Sequence, residues 1–231
     1  MGRGRDASAR VLAMIAEGEH QRQDFKYKVE DAPKLARSVS AFANTDGGRL
    51  LIGVRDDGSI HGVRSEEEIF MMHSAASTYC TPAPVIEFET LHVPTDPHGG
   101  HVRTVVVCTV MPSGQRPVFA LGEEKPTAYV RMADENLVAS PVHIAIWRQE
   151  HHLRGEAFSD TPQERAILDV LGAHPEGLAL NRLYRQSSRQ VALAGGQLLR
   201  PTAIDMLARF VRFGLARMGR RDRQWVFCPA P

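Results

Sequence analysis

Residues 40–63, SAFANTDGGRLLIGVRDDGSIHGV, leave the chain little choice of local structure. The stretch begins as the end of a helical pattern, breaks at Asn44-Thr45-Asp46-Gly47-Gly48, and continues as an apolar strand over 50–54. A second acidic turn, Asp56-Asp57-Gly58, reverses the direction, and the chain returns through Ile60 and Val63. Two glycine-containing turns around one short strand predict a helix–strand–hairpin unit. Gly47, Gly53 and Gly58 stand where a side chain would obstruct a positive φ or a close backbone approach.

The flanking segments extend this unit into a domain. Residues 1–7 read as a loose arm, followed by a helix over 8–17 with Val11, Leu12 and Ile15 on one face. Phe25, Tyr27 and Val29 then alternate with Asp24, Lys26 and Lys28, which predicts a half-buried strand with a solvated face. Asp31 and Pro33 start the helix that carries Leu35, Val39 and Phe42. Ser65 and Glu68 predict a capping box for the next helix, with Phe70, Met71 and Met72 as core filler. Strands follow over 85–93, 102–111, 118–120 and 128–131, and Ser140-Pro141 opens a further helix. His92, His98 and His101 lie in or beside one hairpin loop without an acid at ligand spacing, so they read as loop residues and not as a metal site.

The formal net charge of +1 hides an asymmetry. Residues 1–153 hold 16 basic and 20 acidic side chains, whereas residues 154–231 hold 12 arginines, no lysine and 7 acids. An arginine-only basic segment beside a slightly acidic one predicts two modules, the second suited to phosphate. Within it, Thr161-Pro162 starts a helix, a second covers 179–185, and a third begins at Pro201 and stops at Gly214. The long stretch 186–200 leaves room for an extra helix, or for a recognition helix over 188–199. Three helices followed by a basic hairpin give the winged-helix plan. The division expected is a first domain over 8–150, a linker over 151–160 and a winged helix-turn-helix domain over 161–231.

Three dispersed cysteines without a CxxC pair argue against a disulfide scaffold or a structural zinc site. No apolar run approaches the roughly 20 residues needed to span a bilayer. The basic N-terminus leads into an amphipathic helix and not a signal core, so a cytoplasmic protein without membrane contact is expected. Gly47-Gly48 lacks the Lys-Ser/Thr of a P-loop and precedes a strand, which removes an ATP-binding reading.

Several of these segments resemble the Schlafen-type AlbA-like domain family. The resemblance rests on Glu19, four residues, then Asp24-Phe25-Lys26; on AFANTDGG followed by LLIGV and the acidic turn; and on Tyr129-Val130-Arg131 with Ala139-Ser140-Pro141. It implies an α/β (α+β) domain with a mixed sheet and a tendency to pair as a homodimer. Some eukaryotic relatives cleave structured RNA with three carboxylates, and carried onto this chain these are Glu19, Asp24 and Asp56 or Asp57. A nuclease of that kind would need Mg²⁺ or Mn²⁺, and otherwise no cofactor is expected. Two departures stand out: Asp24 is one methylene shorter than glutamate, and Arg55 follows the IGV strand.

The function expected first is nucleic-acid binding, in the form of a transcriptional regulator on double-stranded DNA. Thr202, Arg209 and Arg212 on the third helix, and Arg217, Arg220, Arg221 and Arg223 in the hairpin, are the candidate contacts. Arg22, Lys26, Lys28, Arg49 and Arg131 supply a second basic face on the first domain. The alternative is the metal-dependent ribonuclease.

Overall fold

The computed structural model describes residues 2–94, 101–122, 124–150 and 159–231, with side chains from Asp6 onward. The chain forms two compact units, Met1–Ala139 and Ser140–Pro231. The helix expected to close the first domain therefore belongs to the second. Val142 and Ala145 on it are buried in the same core as Ile167, Leu207 and Phe210. Of the expected linker, 151–158 lies outside the described residues, as do 95–100 with His98.

The first unit runs α1 (Gly2–Ala16), β1 (Gln23–Lys26), α2 (Ala32–Asn44), β2 (Gly48–Ile52), α3 (Ser65–Ser77), β3 (Cys80–Thr81), β4 (Ile86–Pro94), β5 (Val102–Val110), β6 (Phe119–Ala120), β7 (Thr127–Met132) and β8 (Glu135–Val138). Helix α1 starts at Gly2, so of the loose arm expected over 1–7 the described residues 2–7 are helical instead. Arg10 fastens this helix to β4 by a two-pronged contact with Glu89 at 2.6 and 2.7 Å.

Two four-stranded sheets have the orders β1-β2-β5-β4 and β3-β6-β7-β8. The first is mixed, as expected: β1 and β2 are parallel with α2 as their crossover, and β5 is antiparallel to β2 and β4. Both faces of β2 are covered. Leu50 and Ile52 pack with Phe42, Met72 and Val106, while Leu51 packs on the opposite side with Val11, Phe25 and Val105. A strand buried on both sides reads as a continuous apolar run, which is what LLI is. Gly47 lies at φ +67°, and a Cβ there would come within 2.8 Å of the Val110 carbonyl oxygen. Gly48 has no such φ, but its Cβ would meet the Phe42 ring at 2.5 Å.

Helix α2 joins the two sheets through polar side chains. Asn44 Nδ2 donates to the carbonyls of Val118 and Tyr129 at 2.8 and 3.0 Å, and its Oδ1 accepts from the Val118 N–H at 2.7 Å. Ser40 donates to the Val118 carbonyl and accepts from the Tyr129 N–H. These buried backbone groups, which would otherwise cost about 1–3 kcal/mol each, are thereby satisfied.

Helix α3 differs from expectation at its start. Its N-cap is Arg64, which makes no side-chain cap bond, so Ser65 is the first helical residue and the Ser65–Glu68 box does not form. Glu68 instead turns inward. Met72 is core as expected, but Phe70 is 71% exposed.

The second unit runs α4 (Pro141–Gln149), α5 (Pro162–Gly172), β9 (Leu178–Ala179), α6 (Leu180–Leu193), α7 (Arg200–Arg212), β10 (Ala216–Arg221) and β11 (Gln224–Pro229). Two capping boxes start α4 and α5: Ser140 with His143, and Thr161 with Glu164. Helix α6 continues through Leu193, past the end expected at 185, so 188–193 belong to it and no separate helix spans 188–199. Ser187 and Val191 are buried on the added turns, which holds them helical by packing. The β10–β11 hairpin turns on Asp222 and Arg223, both at positive φ of 48° and 63°. That is the two-residue turn whose twist matches antiparallel strands. Strand β9 pairs with β11 and completes a three-stranded sheet, β10-β11-β9.

Candidate functional site

The acids of the first unit meet at the start of β1, an edge strand. Glu19 Oε1 accepts from the Phe25 N–H at 2.8 Å, which folds the Glu19 loop back onto the strand. Burial raises the Glu19 carboxyl above its usual range; the Phe25 N–H opposes this, and the neighbouring Asp24 carboxylate adds to it. Asp24 is not on a solvated face, as the alternation suggested, but is 5% exposed. Its Oδ2 lies 2.5 Å from Lys26 Nζ, and its Oδ1 lies 3.4 Å from Arg131 Nη2. The pair Glu19–Asp24 is therefore real, but cations already balance it.

The third carboxylate does not join them. Asp56 and Asp57 sit in the exposed turn after β2, where Asp57 Oδ1 accepts from the Ser59 N–H at 2.8 Å. Among the described residues no three His, Cys, Asp or Glu side chains are grouped so as to hold a metal ion. With Lys26 and Arg131 seated on Asp24, this donor set does not fit the divalent ion that a carboxylate nuclease requires.

The basic face expected on this unit is also redistributed. Arg131 is 2% exposed and is a structural residue. Its guanidinium donates to the carbonyls of Gln23 at 3.0 Å and His20 at 3.3 Å and to Asn136 Oδ1 at 3.0 Å, and lies over the Phe42 ring. Arg49 is held by Glu17 and by Gln23 Oε1, each at 2.5 Å. Arg22 donates to the Asp46 carbonyl at 2.8 Å. Lys26 is tied to Asp24, and of the five Arg22 and Lys28 are exposed.

In their place the fold assembles two clefts into which cations converge, alongside carboxylates, and which no sequence spacing announced. One, of about 630 Å³, is lined by Lys26, Lys28, Lys34 and Arg37 over Ser38 and Asn136. Asn136 donates to Ser38 at 2.9 Å and accepts from Arg131, so the floor of this cleft is continuous with the Asp24 network. The other, of about 840 Å³, lies between α3 and the start of β5 and is lined by Lys28, Arg64 and Arg103 with Glu30, Glu67, Glu68, His61 and Phe70. These cations come from β1–α2, α3 and β5, too far apart in sequence to form a readable motif.

In the second unit Thr202, Arg212, Arg217 and Arg223 are exposed. Arg209 is not a surface contact. It pairs with Glu164, which is fully buried at the N-terminus of α5. Arg220 lies over the Trp225 ring and donates to the Arg223 carbonyl, and Arg221 donates to the Glu176 carbonyl. These two brace the hairpin, while Arg217 and Arg223 project from it. Exposed Arg182, Arg185 and Arg189 on α6 are further cations that the sequence reading passed over.

Among the described residues no helix is long and apolar enough to cross a membrane. No curated protein matches the sequence. Among solved structures, the DIP2311 protein from Corynebacterium diphtheriae is similar at 20% identity and a TM-score of 0.42, over 80% of this chain and 37% of that one. This chain thus spans 37% of the length of that structure. The profile of the Schlafen, AlbA_2 family matches residues 19–140, from Glu19 to the Ser140 cap of α4. With more than half of its length matched, the chain belongs to the Schlafen, AlbA_2 family.

Proposed function

We propose that this chain is a DNA-binding transcriptional regulator whose second unit is a winged helix, acting as a homodimer in the cytoplasm. The observation that carries the reading is the strand order β10-β11-β9, in which a strand between two helices pairs with a basic C-terminal hairpin. In a winged helix that arrangement sets one helix into the major groove and lets the hairpin grip phosphate. Helix α7 offers exposed Thr202 and Arg212 for the groove, and the hairpin offers Arg217 and Arg223 for the backbone. Lys28 and Lys34 of the first unit add a separate surface for phosphate.

Titration of labelled duplex DNA with the full chain at two salt concentrations tests the reading. Removing one phosphate-binding arginine lowers the salt slope by about 0.9, so Arg217→Ala with Arg223→Ala should flatten it by about 2 and weaken binding on all sequences alike. Unchanged affinity and slope in that double variant would remove the hairpin from the interface. A light-scattering mass of a single chain would remove the dimer.

A further inference from the structure

The second cleft holds a buried carboxyl with one oxygen left without a partner. Glu68 is 8% exposed, and its Oε2 is enclosed without a hydrogen bond. Burial raises the Glu68 carboxyl above its usual range, with Lys28 and Arg64 opposing. The local sequence explains how it came there. Because α3 begins at Ser65, Glu68 falls one position beyond the residue that closes a capping box, and its side chain turns into the cleft. An unsatisfied buried acceptor is costly, and where a fold retains one, a ligand that donates to it is the natural complement.

The rest of the cleft defines that ligand. Three cations converge from three elements: Lys28 after β1, Arg64 at the cap of α3, and Arg103 on β5. Their contacts are few: Lys28 has Glu30 at 3.6 Å and lies over the Tyr27 ring, Arg64 has Glu67 at 3.4 Å, and Arg103 has the His61 carbonyl at 2.6 Å, Glu30 and Glu67 themselves lining the cleft. Each therefore retains donors for an anion. The field is positive at His61, whose imidazole is held below its usual range by burial and by Arg55, Arg103 and Lys28. Phe70, 71% exposed, and Met71 give the cleft an apolar wall. At the other end Tyr27 packs edge-on to His61 with ring centres 4.5 Å apart, and Arg55 lies over the Tyr27 ring.

A simple anion satisfies the cations but is repelled by Glu68. A simple cation does the reverse. We infer that this cleft is a subsite for one unstacked nucleotide, whose base edge donates hydrogen bonds to Glu68 and packs on Phe70 while its phosphate meets Lys28, Arg64 and Arg103. Guanine fits best, because its N1–H and N2–H₂ are adjacent donors that match both carboxylate oxygens. Cytosine and adenine offer one amino group, and uracil one imino N–H between two acceptors. The nucleotide is either free or an unpaired residue of a nucleic acid. The inference draws on the nucleic-acid reading only for the second source.

Calorimetric titration of the full chain with GMP, CMP, AMP and UMP, and with single-stranded pentamers carrying one central G, tests it. GMP should bind most tightly and UMP most weakly. Glu68→Gln should weaken GMP by about tenfold or more, leave UMP nearly unchanged, and raise the melting temperature of the ligand-free protein. Phe70→Ala, which alters an exposed side chain, should weaken every nucleotide several-fold without loss of fold. Full competition of GMP with the pentamer supports a free nucleotide as sufficient, and pentamer binding that GMP barely displaces supports the unpaired residue. Absence of binding by both at millimolar concentration overturns the inference, as does GMP affinity untouched by Glu68→Gln. Retained duplex binding through Arg217 and Arg223 in those same preparations would show that this cleft alone had failed.

Discussion

Two helices of this chain begin with the same written signal and use it in opposite ways. Thr161-Pro162-Gln163-Glu164 and Ser65-Glu66-Glu67-Glu68 both match the capping-box pattern. In α5 the box closes: the Thr161 N–H donates to Glu164 Oε2 at 2.9 Å, the Glu164 N–H donates to Thr161 Oγ1 at 3.2 Å, and Ser159 and Arg209 complete the carboxylate. In α3 the helix starts one residue earlier, and Glu68 is buried without a bond to Oε2. Burial pushes both carboxyls up. At Glu164 the hydrogen bonds from Thr161 and Ser159, with Arg209, overcome it and hold the group below its usual range; at Glu68 nothing comparable does, and it stays above. A shift of one position along a helix start thus separates a glutamate satisfied within its cap from one buried with an unbonded oxygen.

The contrast breaks most sharply at Glu164. Glu164→Ala removes the box and leaves Arg209 beside an empty site, which should cost about 3–5 kcal/mol, as breaking buried ion pairs does. Both tryptophans, Trp147 and Trp225, lie in the second unit, so their emission during urea unfolding reads this loss without a contribution from the first.

The next effect in size comes from His143, which closes the other box in the second unit. Burial pushes its imidazole down to about 4 from a usual value of 6.5. The unfolded chain binds a proton there between pH 6.5 and 4 while the folded chain does not. Stability therefore rises with pH in that window and is lost as pH falls through it, by about 3 kcal/mol at most. Tryptophan-monitored unfolding at pH 7 and pH 4.5 should show this loss. His143→Gln, which keeps a capping side chain without a proton to bind, should flatten it.

The smallest change would convert one helix start into the other. Arg64→Ser puts a capping side chain at the N-cap, three residues before Glu67, which already stands third in the helix, completing the pattern in register. It should add about 1 kcal/mol to the first unit, read by circular dichroism during heating. No gain would mean that the entry path of the chain, and not the missing side chain, sets the start of α3.

Much of the first unit was legible because its signals are local. The AFANTDGG break, the LLI run and the Asp31-Pro33 helix start each act within a few residues; α2 forms after the Asp31 cap, and β2 forms around the LLI run but two residues earlier than expected, over Gly48–Ile52. What escaped needed partners distant in sequence. Arg131 reads as a surface cation until Gln23 and Asp24 bury it, and Arg209 reads as a groove contact until Glu164 claims it. Periodicity also could not separate Ser65 as cap from Ser65 as first helical residue, since the two differ by one position. Of the candidate site, the Glu19–Asp24 pair was visible through the family pattern, whereas the Lys34–Arg37 and Arg64–Arg103 clefts exist only once β1, α3 and β5 are packed.

The polar stripe of α2 has a consequence for how such chains are identified. Ser40 and Asn44, inside the AFANTDGG string and just ahead of it, hydrogen-bond to main-chain groups of Val118 and Tyr129. Partners of that kind persist whatever residues the facing strands carry. The string can thus stay fixed while the surface around it is rewritten, so what it transmits between relatives is an address for the scaffold. The proposed contacts, Glu68, Arg103 and the hairpin arginines, stand elsewhere, at positions outside the string.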